Sequence, residues 1–160
     1  MNQEFKFTYN QFNNSDELPK EDYDLLKLAR EATSNAYAPY SNFNVSAVAK
    51  LQNGEIVKGT NQENASYPVG ICAERVLLST ISSLFPNKAV ETLAISYENK
   101  NGSSTHAISP CGMCRQALVE YESRTGSPMK IILSGQSGDV IVLENAKSLL
   151  PFSFSVEDMK

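Results

Sequence analysis

Residues 129–143 are MKIILSGQSGDVIVL, two apolar runs that flank a short polar connection. Both runs are rich in Ile, Leu and Val and are bounded by turn-forming residues, a composition typical of buried strands. Only Gly135–Gly138 lies between them, and this connection is too short for the crossover that parallel strands require. The sequence therefore predicts that the last two strands of a sheet are antiparallel.

The chain upstream of this pair alternates between helical and extended patterns. After Pro19, a favourable first-turn residue, Leu25, Leu28, Ala29 and Ala32 recur at helical spacing. Patterns of this kind predict helices over residues 18–37, 72–85 and 111–123, strands over 45–51, 55–60 and 92–97, and a short final helix over 145–150. This order predicts an α/β domain, with a mixed five-stranded sheet and helices on its faces.

The chain length is typical of one domain, so residues 1–160 are expected to form a single domain. Residues 1–17 are expected to form an N-terminal arm, packed on the domain or on a neighbouring subunit. Within the arm, Phe5, Phe7 and Tyr9 alternate with polar residues, which predicts a short strand.

Charge and composition exclude several classes of protein. Lys and Arg number 14 against 18 Asp and Glu, and the net charge of −4 opposes nucleic-acid binding, which depends on phosphate contacts. The longest stretch without charge, residues 32–49, contains Pro39 and several Ser and Asn residues, so no membrane span is predicted. The first residues lack the basic and apolar regions of a secretory signal, so a cytoplasmic location is expected.

Three cysteines are too few for a disulfide scaffold, and their placement indicates a metal site. Cys72 opens the segment Cys-Ala-Glu-Arg, and Cys111 and Cys114 lie in Pro-Cys-Gly-Met-Cys-Arg, residues 110–115. Each segment starts a predicted helix, where unpaired N–H groups and the helix dipole favour thiolates. Three thiolates around one Zn²⁺ would leave the fourth tetrahedral position open, as in catalytic zinc sites.

Glu74 and Arg75 follow the first cysteine closely enough to act beside the metal. A carboxylate two residues after Cys72 can move protons between water and a substrate without binding the metal. A non-ligand Glu combined with a Pro-Cys-x-x-Cys segment matches the zinc deaminases that act on nucleobases. Arg75 could donate hydrogen bonds to cysteine sulfurs and so tune the acidity of bound water.

With these segments in place, the chain resembles the cytidine deaminases of the small, homotetrameric branch that binds zinc through three cysteines. The resemblance extends from about Leu25 to the end of the chain. The motifs that carry it are AYAPYSNF (36–43), GTNQENASY (59–67), CAER (72–75), PCGMCRQ (110–116) and LLPFSF (149–154). It implies a three-layer cytidine-deaminase-like fold, with helices on both faces of the sheet.

The resemblance also implies the activity. Cytidine, and with it deoxycytidine, would be hydrolysed to uridine or deoxyuridine and ammonia, in pyrimidine salvage. Cys72, Cys111 and Cys114 would hold one Zn²⁺ per subunit. A zinc-activated water would attack C4 of the base, with Glu74 as the proton shuttle and Arg75 beside the sulfurs.

Six further residues are implied to contact the substrate: Phe43, Asn61, Glu63, Tyr67, Ala73 and Phe154. By this resemblance Asn61 and Glu63 would bind the ribose hydroxyls. An amide and a carboxylate at alternate strand positions point the same way, which is consistent with that role. Phe43 and the Ala73 backbone would contact the base. Tyr67 and Phe154 would reach into the sites of adjacent subunits, so a homotetramer with shared active sites is expected.

The chain departs from the family pattern at four places. Ser46 and Ser155 stand where the family usually has Gly, the loop over residues 98–106 is longer than usual, and the N-terminal arm is extra. None of these departures falls on a predicted zinc ligand or on Glu74. They bear on the placement of Phe154 and on the subunit contacts.

Other interpretations of the same residues stay open. Cys111 and Cys114 alone would suit a redox pair or half of a structural metal site, and Cys72 alone a buried apolar residue. Phe43 and Phe154 could belong to the core, and Asn61 and Glu63 to the surface. His106, the single histidine, lies in a polar loop without a ligand partner at fixed spacing, and is expected to be solvated.

Two alternative functions keep the same fold. The substrate could be a nucleoside-like antibiotic that carries a cytosine ring, or the chain could bind zinc and a nucleoside without turnover. Asn61 and Glu63 favour a ribose, and an intact Glu74 favours catalysis. No cluster of Lys and Arg that could bind a phosphate is found near the predicted site, which favours a free nucleoside over a nucleotide.

Overall fold

The computed structural model describes residues 1–160 and contains one sheet flanked by helices. The strands are β1 (Asn10–Phe12), β2 (Phe43–Leu51), β3 (Ile56–Thr60), β4 (Val90–Asn99), β5 (Lys130–Ser134) and β6 (Val140–Leu143). The α-helices are α1 (Lys20–Ala32), α2 (Ala73–Leu84) and α3 (Gly112–Thr125). Short 3-10 helices span Ser15–Glu17, Thr33–Asn35, Tyr67–Val69, Ala146–Leu149 and Val156–Met159.

The strand order across the sheet is β1-β6-β5-β4-β2-β3. The β4–β5 pair is parallel, and every other neighbouring pair is antiparallel. The prediction for the last two strands is confirmed, since Ile131 pairs with Leu143 and Ser134 with Val140. The parallel pair requires a crossover connection, and α3 lies within it.

The sheet has six strands, so the predicted count of five is wrong. The additional strand, β1, pairs with β6 at the sheet edge. The strand predicted around Phe5 and Phe7 is also misplaced, because pairing begins only at Asn10. In the observed register Leu143, the last residue of β6, lies opposite Tyr9. Residues before Tyr9 therefore have no residue of β6 to pair with.

Helices cover both faces of the sheet, but unequally. Neighbouring residues of β2 point to opposite faces, so Val48 packs under α1 while Ala47 packs under α2 and α3. The three expected layers are therefore matched only in part, because α1 alone covers one face. No helix combines the length and the apolar character that crossing a membrane requires.

The predicted helix over residues 18–37 is shorter in the structure. Its α-helical part ends at Ala32, and the 3-10 turn Thr33–Asn35 follows it. The predicted final helix over residues 145–150 is likewise a 3-10 turn, capped by Asn145, whose side chain accepts a hydrogen bond from the Ser148 N–H. The helices that begin at the cysteines match their predicted starts within one residue.

Two contacts fix the helices that carry the cysteines. A Cβ on Gly59 of β3 would lie 2.5 Å from the Leu77 nitrogen and 2.6 Å from the Ala73 carbonyl oxygen, so only glycine lets α2 lie this close to the sheet. At the end of α3, the buried Glu122 carboxylate accepts hydrogen bonds from the N–H groups of Met129 (3.0 Å) and Ala146 (2.7 Å). Gly59 thus allows α2 to pack closely on β3, and the Glu122 side chain ties the end of α3 to the segments just before β5 and just after β6.

Candidate active site

The three cysteines converge at the starts of two helices. Cys72 is the N-cap residue of α2, Cys111 is the N-cap residue of α3, and Cys114 lies in the first turn of α3. The Sγ atoms of Cys72 and Cys111 are 3.9 Å apart, and those of Cys111 and Cys114 are 3.5 Å apart. All three sulfurs lie within 4.8 Å of one another.

This arrangement fits one tetrahedral zinc ion. A Zn–S bond of about 2.3 Å places the sulfurs of a tetrahedral site roughly 3.8 Å apart, close to the observed separations. Thiolates are also the soft ligands that zinc favours. Because the cluster contains three ligands, a fourth position would stay available to water or substrate.

The surroundings of Cys72 favour its thiolate. Hydrogen bonding from the Cys114 thiol lowers the pKa of Cys72 to about 6, against the opposing effects of burial and of the Glu74 charge. Hydrogen bonding with Cys111 and the positive charge of Arg75 contribute to the same lowering of the Cys72 pKa. The thiolate form of Cys72, which is the form that binds metal ions, is therefore favoured near neutral pH.

Glu74 is the buried acid of the site. It occupies the second position of α2 and is 4% exposed. Burial raises the pKa of its carboxyl above the ordinary value, because desolvation penalises the charged form. A carboxyl group with a raised pKa has protonated and charged forms that are closer in free energy at neutral pH than those of an ordinary carboxyl group. Such a group can both accept and release a proton.

The three cysteines and Glu74 line one cavity of about 190 Å³. Of the residues predicted from the sequence, this cavity brings together Cys72, Cys111, Cys114, Glu74, Ala73 and Asn61. Phe43, Glu63, Tyr67 and Phe154 do not line it. The cavity thus contains the three predicted zinc ligands and the predicted proton carrier together with one of the two predicted ribose partners.

Asn61 is held rigidly beside this cavity. Its Oδ1 accepts a hydrogen bond from the Val45 N–H (2.8 Å), and its Nδ2 donates to the Phe43 carbonyl (2.9 Å). Both groups of the amide are therefore oriented by β2, and the side chain needs no reorganisation to present its remaining hydrogen-bonding capacity.

Glu63 lines a neighbouring depression of about 410 Å³ with Tyr40, Ser41 and Tyr67. Its carboxylate accepts hydrogen bonds from the N–H groups of Tyr40 (2.9 Å) and Ser41 (3.3 Å). Hydrogen bonding with Ser41, from its side chain first, lowers the pKa of Glu63. The expected alternation of Asn61 and Glu63 along one strand is wrong, because β3 ends at Thr60.

The predicted aromatic residues lie farther from the cysteines. Phe43 is half-buried and stacks on Tyr97, with ring centroids 4.9 Å apart and planes 17° apart. Tyr67 is 76% exposed and Phe154 is 61% exposed. The Phe154 carbonyl accepts a hydrogen bond from Gln116 of α3 (2.8 Å), but Phe154 does not line this chain's own cavity.

Arg75 does not line the cavity, and neither do Ser46 and Ser155, the two serines that depart from the family pattern. No hydrogen bond joins the Arg75 guanidinium to a cysteine sulfur, so its contribution in this structure is its charge near Cys72. Ser46 is fully buried on the α1 face and donates to the Ala29 carbonyl. Ser155 caps the last 3-10 turn through Asp158.

Four lining residues of the cavity were not singled out from the sequence: Val45, Ile95, Ile108 and Ser109. The alternation along β2 indicates that Val45 shares a face with Phe43 and Ala47. It does not indicate that this face carries the site. Ser109 precedes Pro110 and Cys111 directly, and that proximity was an available signal. His106 is exposed as expected, and its ring also approaches the Tyr97 hydroxyl.

Comparison with known proteins finds relatives over most of the chain. The family model of the "Cytidine and deoxycytidylate deaminase zinc-binding region" matches residues 19–126. The cytidine deaminase of Halalkalibacterium halodurans is 35% identical over 135 residues, which make up 84% of this chain and 95% of that protein. The cytidine deaminase of Mycobacterium tuberculosis is 33% identical over 146 residues, 89% of this chain and 96% of that protein.

A solved structure agrees with these matches. The crystal structure of cytidine deaminase from Burkholderia pseudomallei superposes with a TM-score of 0.71 at 36% identity, covering 82% of this chain and 98% of that chain. The family match contains both cysteine segments and Glu74. The resemblance stated from the sequence is confirmed, and the chain belongs to the cytidine and deoxycytidylate deaminase family.

Proposed function

We propose that this chain catalyses the zinc-dependent hydrolysis of cytidine and deoxycytidine to uridine and deoxyuridine, with release of ammonia. One observation carries the proposal. Three cysteine sulfurs and the buried Glu74 carboxyl line a single cavity that Asn61 also lines. This combination offers a metal site, a proton carrier and a polar substrate contact within the reach of one small molecule.

The cavity favours a nucleoside over a nucleotide. Neither the cysteine cavity nor the neighbouring depression is lined by Lys or Arg, whereas Glu63 contributes a carboxylate to the depression. A phosphate placed there would meet a like charge without a cationic partner. This distinction matters because the family includes deaminases of both kinds of substrate.

Cys72, Cys111 and Cys114 would hold the zinc. When bound, zinc would lower the pKa of a coordinated water toward ~7 and so supply a nucleophile at neutral pH. The chain's own contribution to this step is the positioning of three thiolates at two helix starts. Arg75 adds a positive charge near Cys72, which offsets part of the negative charge of the sulfurs.

Glu74 would carry the protons of the reaction. It takes a proton from the attacking water as the C4–O bond forms, and delivers that proton to N3 of the ring. It then moves the remaining hydroxyl proton to the amino group as the C4–N bond breaks. Ammonia leaves, C4 becomes a carbonyl, and Glu74 returns to its starting state.

Substrate binding would use side chains that are already held in place. Asn61 and Glu63 would bind the ribose hydroxyls, Phe43 would line the pyrimidine pocket, and the Ala73 backbone would contact the base. The hydrogen bonds that fix Asn61 and Glu63 to the segment 40–45 support this role. Groups oriented before binding lose little freedom when the substrate arrives.

We further propose that residues 1–160 form a single domain that works as a homotetramer in the cytoplasm, in pyrimidine salvage. Residues 1–17 would form an arm on this domain. Tyr67 and Phe154 would enter the sites of adjacent subunits. Their exposure in the single chain supports this assignment, because exposed apolar patches often mark surfaces that a partner covers.

Metal removal tests the proposed function directly. We expect the purified protein to convert cytidine to uridine, followed by ultraviolet absorbance, and to lose this activity when a chelator removes zinc. Stoichiometric zinc should restore it, and cytidine 5′-monophosphate should react far more slowly than cytidine. Undiminished turnover after verified metal removal would contradict the proposal, as would equal rates on the nucleoside and the nucleotide.

A further inference from the structure

Tyr97 lies between two parts of the molecule that border the proposed site. Its buried ring stacks on Phe43 at a centroid distance of 4.9 Å. Its hydroxyl lies 3.1 Å from Nδ1 of His106, and the two rings meet edge to face at 5.6 Å. Phe43 belongs to the start of β2, whereas His106 precedes the lining residue Ile108 by two positions.

The register of the sheet places Tyr97 on the face that carries the cavity. Val45 pairs with Tyr97 across β2 and β4, and Val45 and Ile95 both line the cavity. Phe43 precedes Val45 by two residues in β2, and Tyr97 follows Ile95 by two residues in β4. Because alternate residues of a strand share a face, Phe43 and Tyr97 lie on the same face as Val45 and Ile95. The stacked pair therefore lies next to Val45 and Ile95 on the same face, just outside the cavity lining.

The segment that contains His106 is anchored at its other side. The Ala107 N–H donates to Asp139 Oδ1 (2.9 Å). A Cβ on Gly138 would lie 1.8 Å from the Thr105 carbonyl oxygen, and Gly138 has a φ of +80°. This backbone contact tolerates only glycine, so the loop after β4 is seated on the β5–β6 turn and leads directly into Ile108 and Ser109.

We propose that Tyr97 and His106 form a positioning pair that holds the Phe43 ring and residues 106–109 at a fixed separation. The pair thereby sets the width of the base pocket and its affinity for the pyrimidine ring. It acts through Phe43 and Ile108 and does not touch the reacting atoms. This inference rests on the proposed function, in which Phe43 lines the pyrimidine pocket.

The substitution Tyr97→Phe removes the hydroxyl and keeps the stacked ring. We expect KM for cytidine, and the dissociation constant for uridine measured by calorimetry, to rise about 3- to 10-fold, the value of one hydrogen bond. The kcat value should change less than KM, because Glu74 and the cysteines are untouched. His106→Ala should raise both constants similarly, and the double variant should be no weaker than the weaker single variant.

Tyr121→Phe is the matched control. The Tyr121 hydroxyl also makes a partly buried hydrogen bond, donated to the Lys88 carbonyl at 2.7 Å, but Tyr121 does not line either cavity of the proposed site. This variant should leave KM and the uridine dissociation constant unchanged. A second control is Phe43→Ala, in whose background Tyr97→Phe should have little further effect on uridine binding.

Cytidine turnover and uridine binding, measured separately, distinguish a failure of this inference from a failure of the proposed function. A change below twofold in both constants for Tyr97→Phe, an equal rise for Tyr121→Phe, or additive effects of the Tyr97 and His106 changes would each overturn the positioning pair. A wild-type chain that binds uridine but does not convert cytidine would overturn the proposed activity, while the uridine dissociation constants would still decide on the pair. A chain that binds no nucleoside would overturn both.

Discussion

Glu74 shows how one position can serve two requirements of a deaminase. In the proposed mechanism Glu74 would lie close to the metal without binding it, and its place at the second position of α2, two residues after the N-cap Cys72, suits this role. Its burial raises the pKa of the carboxyl, which keeps the protonated form accessible. The same burial makes its charged form costly for the fold, so activity and stability should respond in opposite directions here.

Glu74→Gln tests that opposition. We expect kcat to fall about 10²–10⁴-fold, because the amide cannot carry a proton. Zinc content, measured by atomic absorption, should stay at one ion per chain. The thermal midpoint should be equal or higher, since a buried ionisable group has been replaced by a neutral one. Substantial turnover in this variant would contradict the role assigned to Glu74.

Arg75 is expected to act on the metal site through its charge. Removing the charge in Arg75→Ala should weaken zinc affinity or turnover about 10- to 100-fold, the usual size of effects from groups around metal ligands. The free energy of unfolding should change little. Arg75→Lys keeps the charge and should recover most of the loss, whereas near-normal turnover in Arg75→Ala would refute this role.

The site is built where two helices begin. Cys72 and Cys111 are both N-cap residues with extended backbone, so each cysteine lies at the positive end of a helix dipole. The two helix starts come together because α2 and α3 pack on the same face of the sheet in one apolar core, and α2 lies directly on β3. The geometry of the cysteines therefore depends on how closely α2 approaches the sheet.

Gly59→Ala should disturb this approach. The new methyl group would meet the α2 backbone at Leu77 and Ala73, so α2 would have to move away from β3. We expect a loss of roughly 1–3 kcal/mol in the free energy of unfolding. Zinc affinity should fall as well, because Cys72 moves with the helix.

Gly112→Ala is the control for this change. A Cβ on Gly112 meets no atom within 4 Å, although the residue lies next to a cysteine ligand. Its unfolding free energy, measured by denaturant titration, should differ from wild type by no more than about 1 kcal/mol. Equal stability of Gly59→Ala and wild type would show that α2 can shift without cost.

For the molecule as a whole, the exposed aromatic residues are the main feature that a single chain leaves unexplained. Tyr67 and Phe154 are mostly exposed, and so is Phe152 at 95%. In a symmetric assembly these rings could be buried against neighbouring copies and complete their sites. Activity would then depend on protein concentration at high dilution.

Mixing two inactive variants tests the shared site. In a shared assembly, Glu74→Gln disables its own site and Phe154→Ala disables that of a neighbour. When the two chains are co-expressed and assemble at random, roughly a quarter of the sites should contain both intact residues. We expect activity to reappear in the mixture, and sedimentation should report a tetramer. No recovery, or a monomeric wild type, would contradict the shared site.

The short-range features of this protein were determined by the sequence alone. The starts of α2 and α3 and the antiparallel β5–β6 pair follow from residue types at close spacing and from a connection too short to cross over. Helix starts and tight connections depend on hydrogen bonds between near neighbours, so local composition suffices to predict them.

Only the tertiary structure decided how distant segments meet. It placed β1 at the sheet edge, separated Asn61 from Glu63 between two cavities, and set Tyr97 behind Phe43. Alternation along a strand defines two faces but does not say which face carries the site. That choice depends on packing between residues far apart in the chain, and such contacts form only when the whole sheet and its helices are assembled.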